Sequence, residues 1–211
     1  MRSVIKTSIF SAFAATTFSL PLAAQAGGFG YESTIAAPQI NTVKLDVRLS
    51  EDLAYRANNL PKKLRDRGNA RGLNEGFAGN GFYGDKELNR LTERLSEKVS
   101  SKLEKNGFTV SDEATTTLIV TLDDVKPNRP TFEQLSRQPS LSFQSFAVGG
   151  AEIKSELVDS SGNSLGTADY RWFENDIRFA NFGGTWQDAN RAIGRFASRI
   201  SKDLAEDQNN S

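Results

Sequence analysis

An alternation of small or apolar residues with polar ones is the clearest pattern in the chain. The inward positions of this pattern are Ala151, Ile153, Ser155, Leu157, Ala168, Tyr170 and Trp172. Because successive side chains of a strand point to opposite faces, the pattern predicts two strands that each bury one face. The segment between them, Asp-Ser-Ser-Gly-Asn at 159–163, is dense in turn formers, so the two strands are predicted to form a hairpin.

Three other stretches predict strands. Thr42–Ser50 alternates cleanly, Phe108–Val110 is short, and Thr115–Val125 is rich in β-branched and apolar residues. Asp123 and Asp124 lie near the end of the last stretch. Adjacent strand residues face opposite ways, so these two carboxylates predict a polar strand end rather than a chelating pair.

Two segments have the three- and four-residue spacing of an amphipathic helix, Asp85–Asn106 and Thr185–Ala205. Their apolar stripes are Leu88, Leu91, Leu95, Val99 and Leu103 in the first, and Trp186, Ala189, Ile193, Phe196, Ala197, Ile200 and Leu204 in the second. Asp85 is predicted to cap the first helix and Gly107 to end it. Thr185 and Asp188 resemble a capping box for the second.

Two long connections without clear periodicity, Glu51–Gly84 and Lys126–Val148, hold the candidate partner-binding residues. These are a basic cluster, Lys62, Lys63, Arg65, Arg67 and Arg71, and three aromatic residues, Phe132, Phe143 and Phe146. The basic cluster indicates either an anionic partner or a solvated loop. The aromatic segment is predicted to fold back over the sheet or to present a binding surface; a short helix at 52–59 would end at Pro61.

The order of these elements predicts an α+β fold, a two-layer α/β sandwich. A mainly antiparallel sheet of four or five strands would carry both amphipathic helices on one face. The alternative places the helices on opposite faces. Residues 42–206 would form a single domain, preceded by a flexible arm at 27–41 and followed by a polar tail at 207–211.

The N-terminus has the pattern of a secretory signal peptide. Arg2 and Lys6 precede an apolar run at 9–22, and Ala24-Gln25-Ala26 is an A-x-A cleavage site. The run is too short and too rich in Ser, Thr and Ala for a membrane anchor, which needs about 20 mostly apolar residues. Cleavage after Ala26 predicts a periplasmic protein, and no Cys follows to accept a lipid.

Composition narrows the possible chemistry. Removing 26 of the 211 residues leaves 185, with 24 basic and 26 acidic side chains and a net charge of −2, which disfavours nucleic acid as a partner. No later apolar stretch is long enough to cross a membrane. The chain has no Cys and no His, so disulfides and Ser-His-Asp or Cys-His catalysis are excluded. We predict no cofactor and no metal.

The hairpin and the last helix also carry a family resemblance. Gly150, Ala151, Ile153, Leu157 and Asp159 fit the pattern G-A-x-I-x-x-x-L-x-D-x-x-x-G-x-x-L, with Leu165 one position before its last Leu, and Trp186 begins the helix. In this the chain resembles a bacterial cell-envelope family of unknown function whose members are mostly lipoproteins. The resemblance implies an α/β domain over roughly 42–204 and no catalytic residues. The layout is also similar to periplasmic domains that bind envelope enzymes or wall components.

These observations favour a non-catalytic envelope protein that binds another protein or a wall polymer. One alternative is a hydrolase that acts on glycans with carboxylates alone, for which Asp169, Glu174 and Asp176 are candidates. Asp169 and Arg171 would otherwise pair with each other. The other alternative is a small-molecule or lipid carrier.

We expect the exported protein to begin at Gly27. Because the small residues of the A-x-A site fit signal peptidase, N-terminal sequencing of the exported form should return GGFGYES. An uncleaved or lipid-modified form would contradict the prediction.

Overall fold

Six β-strands form one mixed sheet in the computed structural model, which describes residues 29–35, 40–67 and 76–209. The strands are β1 (Gly30–Ser33), β2 (Thr42–Leu49), β3 (Thr109–Val110), β4 (Thr117–Lys126), β5 (Gly150–Val158) and β6 (Ser164–Phe173). Their order across the sheet is β1-β6-β5-β4-β2-β3. The pairs β1–β6, β6–β5 and β5–β4 are antiparallel, whereas β4–β2 and β2–β3 are parallel.

The helices are α1 (Glu51–Arg56), α2 (Asp85–Lys105), α3 (Phe132–Arg137) and α4 (Gln187–Asn209). The two long helices, α2 and α4, pack against each other and against the same face of the sheet. The α+β class and the placement of both long helices on one face therefore agree with the prediction from sequence.

The strand count and the pairing differ from the prediction in two ways. The stretch predicted to be a flexible arm, 27–41, contributes β1, because Gly30–Ser33 pairs with the otherwise open edge of β6. The sheet is also antiparallel on one side of β4 and parallel on the other, whereas the prediction was a mainly antiparallel sheet. Helix α2 crosses over the sheet after β2 and returns the chain to its starting side, so β3 and β4 must run parallel to β2.

The core lies between the sheet and the two long helices. The hairpin residues predicted to face inward are buried, and each lies beside an inward residue of the next strand, as Ile153 does with Tyr170 and Ser155 with Ala168. Ser155 meets the requirement of a buried hydroxyl by donating from Oγ to the carbonyl of Ala168 at 3.2 Å. The predicted hairpin and its buried face are therefore confirmed.

The residue predicted to end α2 is confirmed, whereas the residue predicted to cap its start is wrong. Gly107 has a φ of +91°, the left-handed conformation predicted for a residue that ends a helix. Asp85 is the first helical residue rather than the cap, and Gly84 takes the cap position without a side-chain bond. The Asp85 carboxylate accepts a hydrogen bond from the Asn58 side chain at 2.8 Å instead, which ties α2 to the preceding loop.

The topology gathers the long connections at one end of the molecule. Strands β2, β4 and β6 run in the same direction, and each is followed by a long segment, at 50–84, 127–149 and 174–186. These three segments are called loop 1, loop 2 and loop 3, and together they form the loop end. Helices α2 and α4 both begin there.

We predict that Trp186 is a structural residue of this end. Its side chain is 8% exposed, its ring lies edge-on to Tyr83 with centroids 5.8 Å apart, and its Nε1 donates to the Glu87 carboxylate at 2.8 Å. Trp186→Ala should lower the free energy of unfolding by about 3–5 kcal/mol, because it leaves a cavity. Trp186→Phe, which keeps a ring in place, should lose less. A loss below about 1 kcal/mol for Trp186→Ala in chemical denaturation would contradict the assignment.

Candidate functional site

Exposed large hydrophobic side chains are concentrated at the loop end. Eight such residues occur among the described residues, and seven belong to loops 1, 2 and 3: Tyr55, Leu60, Leu64, Phe132, Phe143, Phe146 and Phe179. The eighth, Phe29, precedes β1. Leu64 is 77% exposed and Phe132 is 76% exposed. Single exposed apolar residues are ordinary, but a concentration of them at one end indicates a binding surface.

Loop 2 divides its apolar residues between two roles. Leu141 and Ala147 pack on Phe77 and Ala78 of loop 1 and form a small second core. The three predicted aromatic residues do not enter it: Phe132, Phe143 and Phe146 all remain exposed. The rings of Phe132 and Phe143 pack edge to face at 5.8 Å. The fold-back prediction therefore holds for part of the loop, while its aromatic residues stay at the surface.

A buried glutamine fixes loop 2 to loop 1. Gln134 is fully buried in α3, and its Nε2 donates to the carbonyls of Phe77 at 3.1 Å and Gly81 at 2.8 Å. Gln134 also completes a capping box with Thr131. Because buried polar groups must be satisfied, these bonds set the position of one loop against the other.

Phe82 marks a strained point in the same contact. Its φ is +52°, a conformation that costs energy for a residue with a Cβ. Three contacts hold it there. Thr131 Oγ1 donates to its carbonyl at 3.1 Å, its amide donates to the Asn59 carbonyl at 3.3 Å, and the Arg137 guanidinium lies 4.6 Å from its ring centroid.

Asp188 joins loop 2 to the start of α4. Its carboxylate is fully buried and accepts from Asn128 Nδ2 at 2.5 Å, from the Gly149 amide at 3.3 Å and from Arg191 Nη1 at 3.3 Å. The predicted capping box with Thr185 is therefore wrong. The Asp188 amide donates to Asn128 Oδ1 at 2.9 Å, so both the amide and the carboxylate of Asp188 bind loop 2 instead. Arg129 adds a second tie, donating to the carbonyls of Gly183 at 3.0 Å and Phe143 at 3.2 Å.

A charged pair anchors loop 1 to β4. Arg56 is 5% exposed, and it donates to the Asp124 carboxylate at 2.7 Å. It also forms an ion pair with Asp52, whose carboxylate lies 3.0 Å from the Arg56 Nε. Burial opposes its charge, but these carboxylates hold the Arg56 pKa above its ordinary value. Nearby, burial and then Asp124 raise the pKa of Tyr83, so its hydroxyl stays protonated and donates to the Ala78 carbonyl at 2.7 Å.

The described members of the predicted basic cluster have different surroundings. Lys62 and Lys63 are exposed, and Lys62 Nζ lies 4.6 Å from the ring centroid of Tyr55. Arg67 is half-buried and donates to the Pro61 carbonyl at 2.9 Å, which makes it part of the loop's framework. The side chain of Arg65 and the whole of Arg71 lie outside the described residues.

An open groove of about 360 Å³ separates loop 1 from the middle of loop 2. Its lining residues are Gly76, Phe77, Asn80, Gln138, Ser140, Leu141, Gln144, Ser145 and Phe146. Apolar side chains and uncharged polar side chains both contribute to it. Of the candidate partner-binding residues that the structure describes, only Phe146 lines this groove.

Asp169 is not brought together with the other two candidate catalytic carboxylates, which are neighbours: the Asp176 amide donates to the Glu174 carboxylate at 3.2 Å. Asp169 lies on the open face of the sheet, whereas Glu174 and Asp176 follow β6 in loop 3. Asp169 and Glu174 are separated by roughly 16 Å along an extended chain. Asp176 binds Arg178, whose guanidinium lowers the pKa of the Asp176 carboxyl. Arg171 pairs with Glu152 and not with Asp169, since Glu152 lies directly opposite it on β5.

A row of arginines on α4 was not among the functional residues predicted from the sequence. Arg191, Arg195 and Arg199 recur every four residues, so they share one face of the helix. The Arg195 guanidinium lies 4.6 Å from the ring centroid of Trp172, and that of Arg199 lies 4.3 Å from that of Phe29. The spacing was visible in the sequence, but the aromatic partners come from other strands and loops.

No protein-family model matches this chain, and no curated protein matches it. Among solved structures, the chain is similar to a PelC dodecamer from Paraburkholderia phytofirmans, with a TM-score of 0.41, 9% identity and coverage of 86% of this chain and 98% of that one. The chain is also similar to a minor lipoprotein from Acinetobacter baumannii, with a TM-score of 0.35, 10% identity and coverage of 80% of this chain and 94% of that one. A third similar structure is a DUF330 protein from Xanthomonas campestris, with a TM-score of 0.40, 8% identity and coverage of 83% of this chain and 90% of that one. We draw no functional conclusion from these distant likenesses.

Two further observations concern the described part of the chain. It contains no helix both long and apolar enough to cross a membrane. It also contains no group of three or more Asp or Glu side chains arranged to hold a metal ion.

We predict that Asp124 stabilises the loop end through Arg56. Asp124→Ala should lower the free energy of unfolding by about 3 kcal/mol, because it removes the closest counter-ion of a buried guanidinium. Asp52→Ala is the matched control: this carboxylate also contacts Arg56 but is 54% exposed, so its loss should cost less than about 1 kcal/mol. Equal losses for the two variants in urea denaturation would contradict the assignment.

Proposed function

We propose that this chain is a non-catalytic, exported protein of the bacterial cell envelope that binds a partner through its loop end. The predicted signal peptide supports export, and the surface described above supports binding. The single observation that carries the proposal is the position of the exposed hydrophobic side chains, seven of eight of which lie on the three loops at one end.

The loop end has the properties of a preformed binding surface. Buried hydrogen bonds of Gln134, Asp188 and Arg56 anchor loops 1 and 2, and Arg129 ties loop 2 to loop 3 by donating to the Gly183 carbonyl. Phe132 and Phe143 pack against each other above these anchors and remain exposed. Residues held in place before binding lose little conformational entropy when they bind, and buried aromatic residues are frequent energetic centres of interfaces.

We assign the main contribution to partner binding at this surface to apolar contact. Lys62 and Lys63 are the exposed members of the predicted basic cluster among the described residues, and they lie in loop 1 near Leu60 and Leu64. Exposed charges of this kind influence the rate of encounter more than the stability of a complex. We therefore assign Lys62 and Lys63 to the rim and the aromatic residues of loops 2 and 3 to the centre.

The two alternative functions have weaker support. A carboxylate-only hydrolase needs two carboxyl groups about 5–10 Å apart. Asp169 lies on a different part of the molecule from Glu174, and Asp176, the neighbour of Glu174, is paired with Arg178. Loss of a glycan-cleaving activity in Asp169→Asn, with the fold intact, would favour that alternative. A carrier would bury its ligand, but the space between the sheet and the helices is filled by fully buried side chains.

Site-specific photo-crosslinking in the native envelope tests the proposal. We expect a benzophenone-bearing residue at position 132, 143 or 179 to give adducts of one discrete mass, because these side chains would be covered by the partner. Mass spectrometry of the adduct would identify it. Matched control positions are 89 on α2 and 167 on the open sheet face, both exposed in the protein. Adducts of equal yield at loop-end and control positions would overturn the proposal.

A further inference from the structure

We infer that the groove between loops 1 and 2 is a binding site for a neutral glycan. The inference rests on the proposed function and specifies the class of ligand for one part of the loop end. It depends on the chemistry of the lining side chains, on the absence of charge among them, and on the size and framework of the groove.

The amide side chains of the groove are free to bind a ligand. Asn80, Gln138 and Gln144 each bring a primary amide to its wall, and none of the three amides has a hydrogen-bond partner within the described part of the chain. A primary amide both donates and accepts, as a sugar hydroxyl does, so each can form paired bonds with neighbouring hydroxyls. The hydroxyl groups of Ser140 and Ser145 add further groups of the same character.

The apolar side chains provide a second kind of contact. Phe77 and Leu141 belong to the small core beneath the groove, and Phe146 is 40% exposed at its wall. A pyranose ring has a hydroxyl-bearing edge and a face of C–H groups. A site that combines aromatic and aliphatic surface with a few polar groups matches both parts of such a ring.

The same lining disfavours other ligands. Among the described residues, it contains neither Lys nor Arg to bind an anion, and neither Asp nor Glu to bind a cation. An extended peptide is commonly bound by adding a strand to a sheet edge. No strand borders this groove, whose walls are a short 3-10 turn at 76–79 and the segment 138–146. A neutral, hydroxyl-rich ligand needs neither a charged partner nor a strand edge, so it fits this lining.

The framework of the groove is set before a ligand arrives. The Leu141 amide donates to the Gln138 carbonyl at 3.0 Å, and the Ser145 amide donates to the Ser142 carbonyl at 2.9 Å. The Ser142 amide donates to Ser145 Oγ at 3.1 Å, which closes the turn. The volume of about 360 Å³ lies near the lower end of the range for small-molecule sites and suits one or two sugar rings.

Calorimetric titration of the exported protein with defined trisaccharides tests the inference. Chitotriose and cellotriose are the neutral probes, with and without acetamido groups, and trigalacturonate is the anionic probe. At least one neutral probe should bind saturably, at least tenfold more tightly than trigalacturonate. The double variant Gln138→Ala, Gln144→Ala should weaken that binding at least tenfold, since about 1.4 kcal/mol corresponds to a factor of ten.

The matched control is Asn89→Ala, which removes an exposed amide of α2 outside the groove and should leave the affinity unchanged. Tighter binding of chitotriose would identify an acetamido sugar, and tighter binding of cellotriose a plain hexose; either result supports the inference. Failure of both neutral probes to bind, or equal affinities of the double variant and the parent, would overturn it.

The test separates this inference from the proposed function. If crosslinks at positions 132 and 143 persist but no neutral trisaccharide binds, the loop end binds a partner and the glycan assignment is wrong. If the crosslinked partner is a protein and the double variant abolishes its capture, the groove binds a peptide, which also overturns the glycan assignment. Loss of specific crosslinks would refute the proposed function itself.

Discussion

Burial of a single apolar sheet face beneath α2 and α4 is the constraint on which the rest of this structure depends. Leu118, Val120 and Leu122 of β4 lie at its centre and are fully buried, with Ile153 beside them on β5. A shift of one residue in any strand would turn its apolar set to solvent, so this burial fixes the register. It also requires α2 to cross over between β2 and β4, and that crossover sends β2, β4 and β6 toward the same end.

The two exposed regions of the molecule differ in how their side chains are satisfied. On the open sheet face, charges pair across strands: Lys154 contacts Asp123 at 2.7 Å, and Arg171 contacts Glu152. The hydrogen bond to Asp123 raises the pKa of Lys154, so the Lys154 ammonium group stays charged through neutral pH. At the loop end, by contrast, aromatic side chains and the groove amides lack such partners. The loop end is therefore the region with unused capacity for binding.

The loop end combines rigid anchors with an exposed surface. Its buried polar groups are bonded across loops rather than within them, as Gln134 shows in binding Phe77 and Gly81 and Asp188 in binding Asn128. Fully satisfied polar networks of this kind specify one arrangement of the chain. The strained Phe82 is maintained by the same contacts. Where the structure describes these loops, the contacts hold them in place before binding, which lowers the cost of ordering them when a partner binds.

The sequence by itself determined the elements whose pattern is local. Alternation gave the hairpin and its buried face, helical spacing gave α2 and α4, and Gly107 marked the end of α2, because each of these depends only on neighbours in the chain. The sequence also placed Phe132, Phe143 and Phe146 among the binding candidates. Only the tertiary structure decided that β1 joins the sheet, that Asp188 binds Asn128 rather than capping α4, and that Arg171 pairs with Glu152. The tertiary structure also decided that Asn80 lines the same groove as Gln138 and Gln144. These contacts join residues far apart in sequence, and their partners are set by strand direction and register, which no local pattern encodes.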